Sequence, residues 1–362
     1  VARLLKGKDK KLEKIQTLYK YMQSNTRYVS IQLGIGGFQP FDAESVFENG
    51  YGDCKALSNF MRALLFEAGI ESNYTLVTAG NNVSDIVTDF PDQQFNHVIL
   101  CVPNQGDTLW LECTSQTNPM GYIGGFTDDR HVLIIDNEGG HIAKTKNYPA
   151  FKSLQTRTAI VQVDPDRNLI NAKVHTQFKG KQYTTVDQTL RKNPEKQEEF
   201  LLERIELPGT KIKSFSITDT LIQYEPTGNI NMNFECNKYL SFSGNRILMP
   251  ANLMNKYDYI PKNIENRKTD INLTYAYKDV DSICYKLPEN YKVEYLPENI
   301  ELEYDFGTYK AEFTKTDNDI IYTRVIEMKK GVFPKEQYEE LIDFYTSISK
   351  ADNLKMLFTL KK

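Results

Sequence analysis

Hydrophobic and polar positions alternate with two different periods along this chain, and the change from one to the other divides it. Residues 9–24 place Leu12, Ile15, Leu18, Tyr19 and Met22 at helical spacing, with Lys and Glu on the other side. This predicts an amphipathic helix, with Asp9 as its N-cap. A shorter helix is predicted from Ala43 to Glu48, capped by Asp42. The clearest helix spans residues 54–68. Ala56, Leu57, Phe60, Met61, Leu64, Leu65 and Ala68 form a broad apolar stripe, Asp53 stands at the N-cap position, and Gly69 stands where a helix-ending glycine belongs. Period two then takes over. Ile70–Thr78 reads as a strand and Gly80–Gln94 as a long polar loop. Phe95–Val102 and Thr108–Thr114 read as a hairpin around Pro103-Asn104-Gln105-Gly106-Asp107, and Val132–Ile135 as a further strand. Helices followed by antiparallel strands predict an α+β core.

After about Tyr148 the texture becomes alternating throughout. Short segments rich in Thr, Tyr, Val and Ile, such as Ala159–Val163, Ile170–Phe178 and Asp270–Tyr277, are interrupted by helical pieces near Glu195–Arg204 and Lys335–Ser349. The expectation is a core over residues 1–148 and a β-rich, sandwich-like part over 149–362, with a sub-boundary near Pro261. The length of 362 residues suits two or three domains.

Composition removes several function classes. Lys and Arg number 44 against 48 Asp and Glu, and no basic stripe offers itself to nucleic acid. No apolar run approaches the ~20 residues that span a bilayer. Five cysteines, Cys54, Cys101, Cys113, Cys236 and Cys284, cannot all pair and show no C-x-x-C spacing, so neither a structural metal site nor a disulfide framework is expected, and no cofactor is called for. The chain starts at Val1 with charged helical sequence, which reads as a fragment of a longer protein. The glycine-rich run Leu33–Pro40 lacks the Lys-Ser/Thr ending of a phosphate loop and reads as a packed turn.

The candidate chemistry begins at Cys54. A cysteine at the first turn of a helix faces unpaired backbone N–H groups, and a helix N-terminus favours an anion by typically 0.3–1 kcal/mol, up to about 2. That is partial activation, so a reactive thiolate also needs an imidazole. Of the four histidines, His97 lies in the predicted strand among Phe95, Val98, Ile99 and Leu100. With Asn104-Gln105 as the turn, His97 faces Glu112. Any register with an odd sum keeps both on one face. A carboxylate beside an imidazole is the base-and-orienter half of a triad. Taken singly, each residue also has a packing explanation: an inert helix start, a core histidine, a paired glutamate.

The motifs add a resemblance. Tyr51-Gly52-Asp53-Cys54-Lys55-Ala56-Leu57-Ser58 with the helix to Gly69, Phe95-Asn96-His97-Val98, and Trp110-Leu111-Glu112-Cys113-Thr114 together resemble, in order, the nucleophile, histidine and acid motifs of the transglutaminase-like superfamily. The third usually reads Trp-x-Asp-x-Thr, so Glu112 is one methylene longer; Lys55-Ala56 stands where Lys-Asp is common. The resemblance implies a papain-type catalytic core, helices packed on an antiparallel sheet, followed by a β-rich domain, in bacterial envelope proteins exported to the periplasm or cell surface. It implies acyl transfer from peptide amides, with Cys54 attacking, His97 moving the proton, Glu112 orienting His97, and a peptide or protein as substrate. Water as acceptor gives a protease or amidase, the preferred expectation; an amine gives a cross-linking enzyme. The rivals are a catalytically inactive peptide- or protein-binding module and a purely structural envelope protein. Trp110 shares the face of Glu112, as cleft wall or plain core. Gln32 is the weaker candidate for an oxyanion donor, and His131 and His141 are expected in surface or loop roles.

Overall fold

A computed structural model describes every residue except Gln32, Leu33, Asn81, Asn82, Gln223, Asp317, Asn318 and Lys362. The chain divides into two compact units, Val1–Tyr148 with Leu221–Pro226, and Pro149–Thr220 with Thr227–Lys362.

The first unit is α+β. Helix α1 (Lys11–Asn25) buries Ile15, Leu18, Tyr19 and Met22, the stripe its periodicity predicts. Its N-cap is Lys10, which makes no side-chain capping bond, so the expected Asp9 cap is absent. Helix α2 (Ala43–Asn49) is capped as expected: Asp42 Oδ1 accepts from the Ser45 N–H at 2.8 Å. Helix α3 (Cys54–Glu67) is capped by Asp53, whose Oδ1 accepts from the Ala56 N–H at 2.9 Å, and Gly69 follows it at φ 67°. The described part of the glycine-rich run is a single 3-10 turn, Gly34–Gly37.

Five strands form an antiparallel sheet: β1 (Asn73–Val77), β2 (His97–Asn104), β3 (Asp107–Leu111), β4 (His131–Asp136) and β5 (Gly139–Lys144), in the order β3-β2-β1-β4-β5. The last strand has no clear signal in Gly139-Gly140-His141. The hairpin register also differs from expectation. Asn104 pairs with Asp107, so Gln105-Gly106 is the turn. Both have positive φ, 50° and 85°, as the two-residue hairpin turn that suits strand twist demands, and glycine meets that demand at little cost. Opposed residues therefore sum to 211, and β3 ends at Leu111. Glu112 sits just past the strand, diagonal to His97 rather than opposite it. The sum stays odd, so the register still assigns both to one face.

One core joins helices and sheet. Leu57, Phe60, Met61 and Leu65 of α3 meet Leu18 and Met22 of α1 and Leu100, Val102 and Leu111 of the hairpin. Ile99, Cys101 and Trp110 alternate to the other face and are also buried, so Trp110 is core by burial.

The second unit is β-rich. An eight-stranded sheet runs, edge to edge, Thr210–Ile222, Glu225–Asn237, Leu169–Lys179, Leu154–Asp164, Tyr277–Lys286, Asp319–Met328, Gly307–Lys315 and Ile300–Tyr304, and a separate four-stranded sheet includes Arg246–Pro250 and Lys355–Leu360. The strand expected over Asp270–Tyr277 is broken: Ile271–Leu273 pairs with Gly331–Phe333, and the next strand starts at Tyr277. Helices cover Thr184–Leu190, Pro194–Ile205 and Tyr338–Asp352. Among the described residues, no helix is long and apolar enough to cross a membrane.

Candidate active site

Three pieces of local structure position Cys54. Gly52 lets the chain pass close under the helix, since a Cβ there would come within 2.8 Å of Ala56 Cβ. Asp53 then caps the helix, and its carboxylate also pairs with Lys55 Nζ. Cys54 is the first helical residue and is half-buried. The Gly-Asp-Cys order thus has a steric, a capping and a chemical member. From the body of α3, the Ser58 hydroxyl donates to the Val98 carbonyl at 3.4 Å, tying helix to strand beside His97.

His97 opens β2, and Asn96 prepares that opening. The Asn96 side chain brackets Ala79, accepting from its N–H at 2.6 Å and donating to its carbonyl at 3.0 Å. The ring is 8% exposed. His97 Nε2 lies 3.0 and 3.1 Å from the two Glu112 carboxylate oxygens, so its N–H donates between them. Cys54, at the start of α3, also bears on the ring. By parity His97 belongs with Ile99 on the face away from the helices. It is the first residue of its strand, and Cys54 at the start of α3 favours its protonated form.

Glu112 is fully enclosed and held from several sides. Its Oε1 accepts from the Thr114 N–H at 3.1 Å and the Thr114 hydroxyl at 2.6 Å. Its carbonyl accepts from the Tyr19 hydroxyl of α1 at 2.6 Å. The extra methylene is accommodated without losing the imidazole. Sequence reasoning did not assign roles to Asn96, Thr114 or Tyr19. The motif positions of the first two were the available signal; Tyr19 carried none beyond its place in an apolar stripe.

The electrostatics agree from both partners. Burial disfavours charge on His97, but the Glu112 carboxylate and the Cys54 hydrogen bond outweigh it, and the ring is raised to about 10. Burial likewise pushes Glu112 up, and the His97 charge and hydrogen bonds from His97 and Thr114 bring it below the usual carboxylate range. The buried pair is therefore an ion pair at neutral pH. Burial, then the charges of Cys54 and Asp53, push the Tyr74 phenol up, so a neutral hydroxyl stands near the thiol.

The linked stability follows. The His97 contribution is fully present below the ordinary imidazole value and is lost as pH rises through about 10. The Glu112 contribution is present above the ordinary carboxylate value and is lost as pH falls below it. An NMR titration, with His97→Asn to assign the resonance, should find this imidazole still protonated at pH 8. A midpoint near the ordinary value of about 6.5 would contradict the pairing.

The remaining candidates lie elsewhere. Gln32 is outside the described residues. His131 pairs with Asp85 and His141 with Asp136, both at the surface. Cys101, Cys113 and Cys236 are buried, and Cys284 is half-buried in a strand of the second unit. Among the described residues no cluster of His, Cys, Asp or Glu could hold a metal ion.

Comparison with known proteins bears on the fold. Residues 1–134 match the transglutaminase-like superfamily, and residues 245–358 match a family described as a domain of unknown function with a solved structure. The crystal structure of a candidate protease from Parabacteroides distasonis shares the fold, with a TM-score of 0.54 at 14% identity, over 99% of this chain and 54% of that one. The chain thus spans about half the length of that protein. No curated protein matches it.

Proposed function

We propose that the transglutaminase-like core is a cysteine enzyme for acyl transfer from peptide amides, with water as the acceptor. The observation that carries this is the buried His97–Glu112 pair, together with a half-buried cysteine at a helix N-terminus that bears on the His97 ring. A packed helix start requires no such pair, and two buried ionised groups are costly to maintain. In the proposed reaction the Cys54 sulfur attacks the amide carbonyl as the thiolate, with its proton held on His97. His97 gives that proton to the leaving amine as the C–N bond breaks, which leaves a thioester on Cys54. Water then attacks the thioester, His97 takes a proton from it, and the acid is released with the thiol restored. Glu112 keeps the ring in orientation and balances its charge throughout. Resemblance alone suggests that this happens in the periplasm or at the cell surface.

Alkylation by iodoacetamide tests the first step. Cys54 should react roughly tenfold or more faster than Cys284, the other thiol that is not fully buried, because burial and the Asp319 charge push Cys284 up. His97→Ala should reduce the preference by slowing Cys54 alone, since Cys284 stays pushed up. Equal labelling of the two thiols would sink the enzyme reading. A peptide library assayed with and without a primary amine, with Cys54→Ala as the blank, then separates hydrolysis from transamidation.

A further inference from the structure

The only aromatic ring recorded against His97 is that of Phe126, among the described residues. The two centroids are 5.5 Å apart, edge to face at 72°, yet Phe126 is 48% exposed. A phenyl group that touches a buried histidine and still shows half its surface to solvent is shared between the site and the solvent. It is not a loose loop tip. The Phe126 carbonyl accepts from the Gly80 N–H at 2.9 Å, and the carbonyls of Thr78 and Gly80 both accept from the Arg130 guanidinium. On the other side, the buried Thr145 hydroxyl donates to the Thr127 carbonyl at 2.8 Å. Gly80, which bonds the Phe126 carbonyl, has an apolar neighbour of its own. Val83, 40% exposed, packs on Gly80, where an added Cβ would meet its Cγ1 at 3.0 Å. Nothing in the proposed chemistry uses this ring, and an exposed polar side chain would serve equally well if the position only had to be solvated.

We infer that Phe126 lines a substrate subsite beside the Cys54–His97 pair that takes an apolar or aromatic side chain next to the scissile amide. This rests on the thiol-enzyme reading above and adds the class of peptide it acts on. An acyl donor held for attack by Cys54 must lie along the His97 ring, and the residue flanking the bond passes over whatever adjoins that ring. The adjoining surface is the Phe126 ring, which has no charge to offer and which gains by being covered. A single apolar contact of this kind discriminates by roughly 10–200-fold.

Two peptidyl chloromethyl ketones that differ only in the residue next to the reactive group, Phe in one and Asp in the other, test the inference. The readout is the ratio of their second-order rate constants for alkylating Cys54, located by peptide mapping. A change in the reactivity of the thiol itself cancels in the ratio. The native protein should prefer the Phe reagent by at least about tenfold. Phe126→Ala should bring the ratio close to one, and Phe126→Leu should keep most of it. No preference in the native protein overturns the subsite, and this needs no variant to fold. An unchanged ratio in Phe126→Ala overturns it as well. Iodoacetamide carries no side chain to be recognised and so separates the two levels: if it does not favour Cys54 over Cys284, the enzyme reading falls and the subsite falls with it; if it does favour Cys54 and the ratio is flat, the subsite alone is wrong.

Discussion

Glu112→Gln is expected to slow peptide cleavage by roughly 10²–10⁴-fold while leaving the core folded. The substitution keeps shape and volume, and the amide oxygen can still accept from the Thr114 N–H and hydroxyl that hold the native carboxylate at 3.1 and 2.6 Å. What disappears is the charge. Burial is the largest influence on His97 and opposes its protonation; the Glu112 carboxylate is the largest influence against that. Without it the balance reverses and the ring drops toward neutrality. A neutral ring cannot hold the thiol proton as an imidazolium, nor hand one to the leaving amine. Two measurements check this together: kcat/KM against a cleaved peptide, and the His97 NMR titration. The rate and the titration midpoint should fall in the same variant. Retention of full rate, in an assay that Cys54→Ala abolishes, would remove Glu112 from the mechanism.

The largest effect on stability is expected in the second unit, at Arg324→Met. Arg324 is among the most buried residues of the second unit, at 1% exposure. Its guanidinium grips Asp352 through Nε and Nη2 at 2.7 and 2.9 Å and donates from Nη1 to Asp281 at 3.1 Å. Arg157 Nη1 donates to the other Asp281 oxygen at 3.1 Å. Asp281 pairs in register with both arginines, so the three lie in one row across adjacent strands. Burial disfavours the Arg324 charge, and Asp352 and Asp281 more than restore it, raising the group well above its ordinary value. Removing the cation leaves Asp352 buried without a counter-charge, a loss of about 3–5 kcal/mol. In calorimetry the transition of this unit should fall by on the order of 10 °C. A shift of only a degree or two would mean that the row is not what holds these strands to the helix carrying Asp352.

Much of the core's fold could be read from the chain, and the errors have physical causes. The stripe of α3, its Asp53 cap and its Gly69 stop are local signals that act within a turn of the residues that carry them. The hairpin was legible as a hairpin, but its register was misplaced by one turn position, because Asn104-Gln105 and Gln105-Gly106 both look like turns until the need for two positive φ angles is weighed. Strand β5 was not visible, since two glycines and a histidine carry no strand preference and pair only because β4 offers an edge. The long segment Asp270–Tyr277 looked like one strand because composition does not record where a chain leaves one sheet for another.

The sequence by itself determined the order of the three motifs, the helix that presents Cys54, and the shared face of His97 and Glu112, since period two holds for any odd-sum register. Tertiary structure decided what those residues meet. His97, the first residue of its strand, comes under the influence of Cys54 at the start of α3 only through packing. Glu112 is held by Tyr19, 93 residues away in the chain, and His97 is touched by Phe126 from a loop anchored through Arg130. Arg324, Asp281 and Asp352 gave no pattern to read, for they lie on separate elements and acquire meaning only where packing removes them from water. Caps, stripes and turns are energies between near neighbours and are therefore written locally. A buried ion pair is an energy between distant residues, and its worth is set by the desolvation that the whole fold imposes.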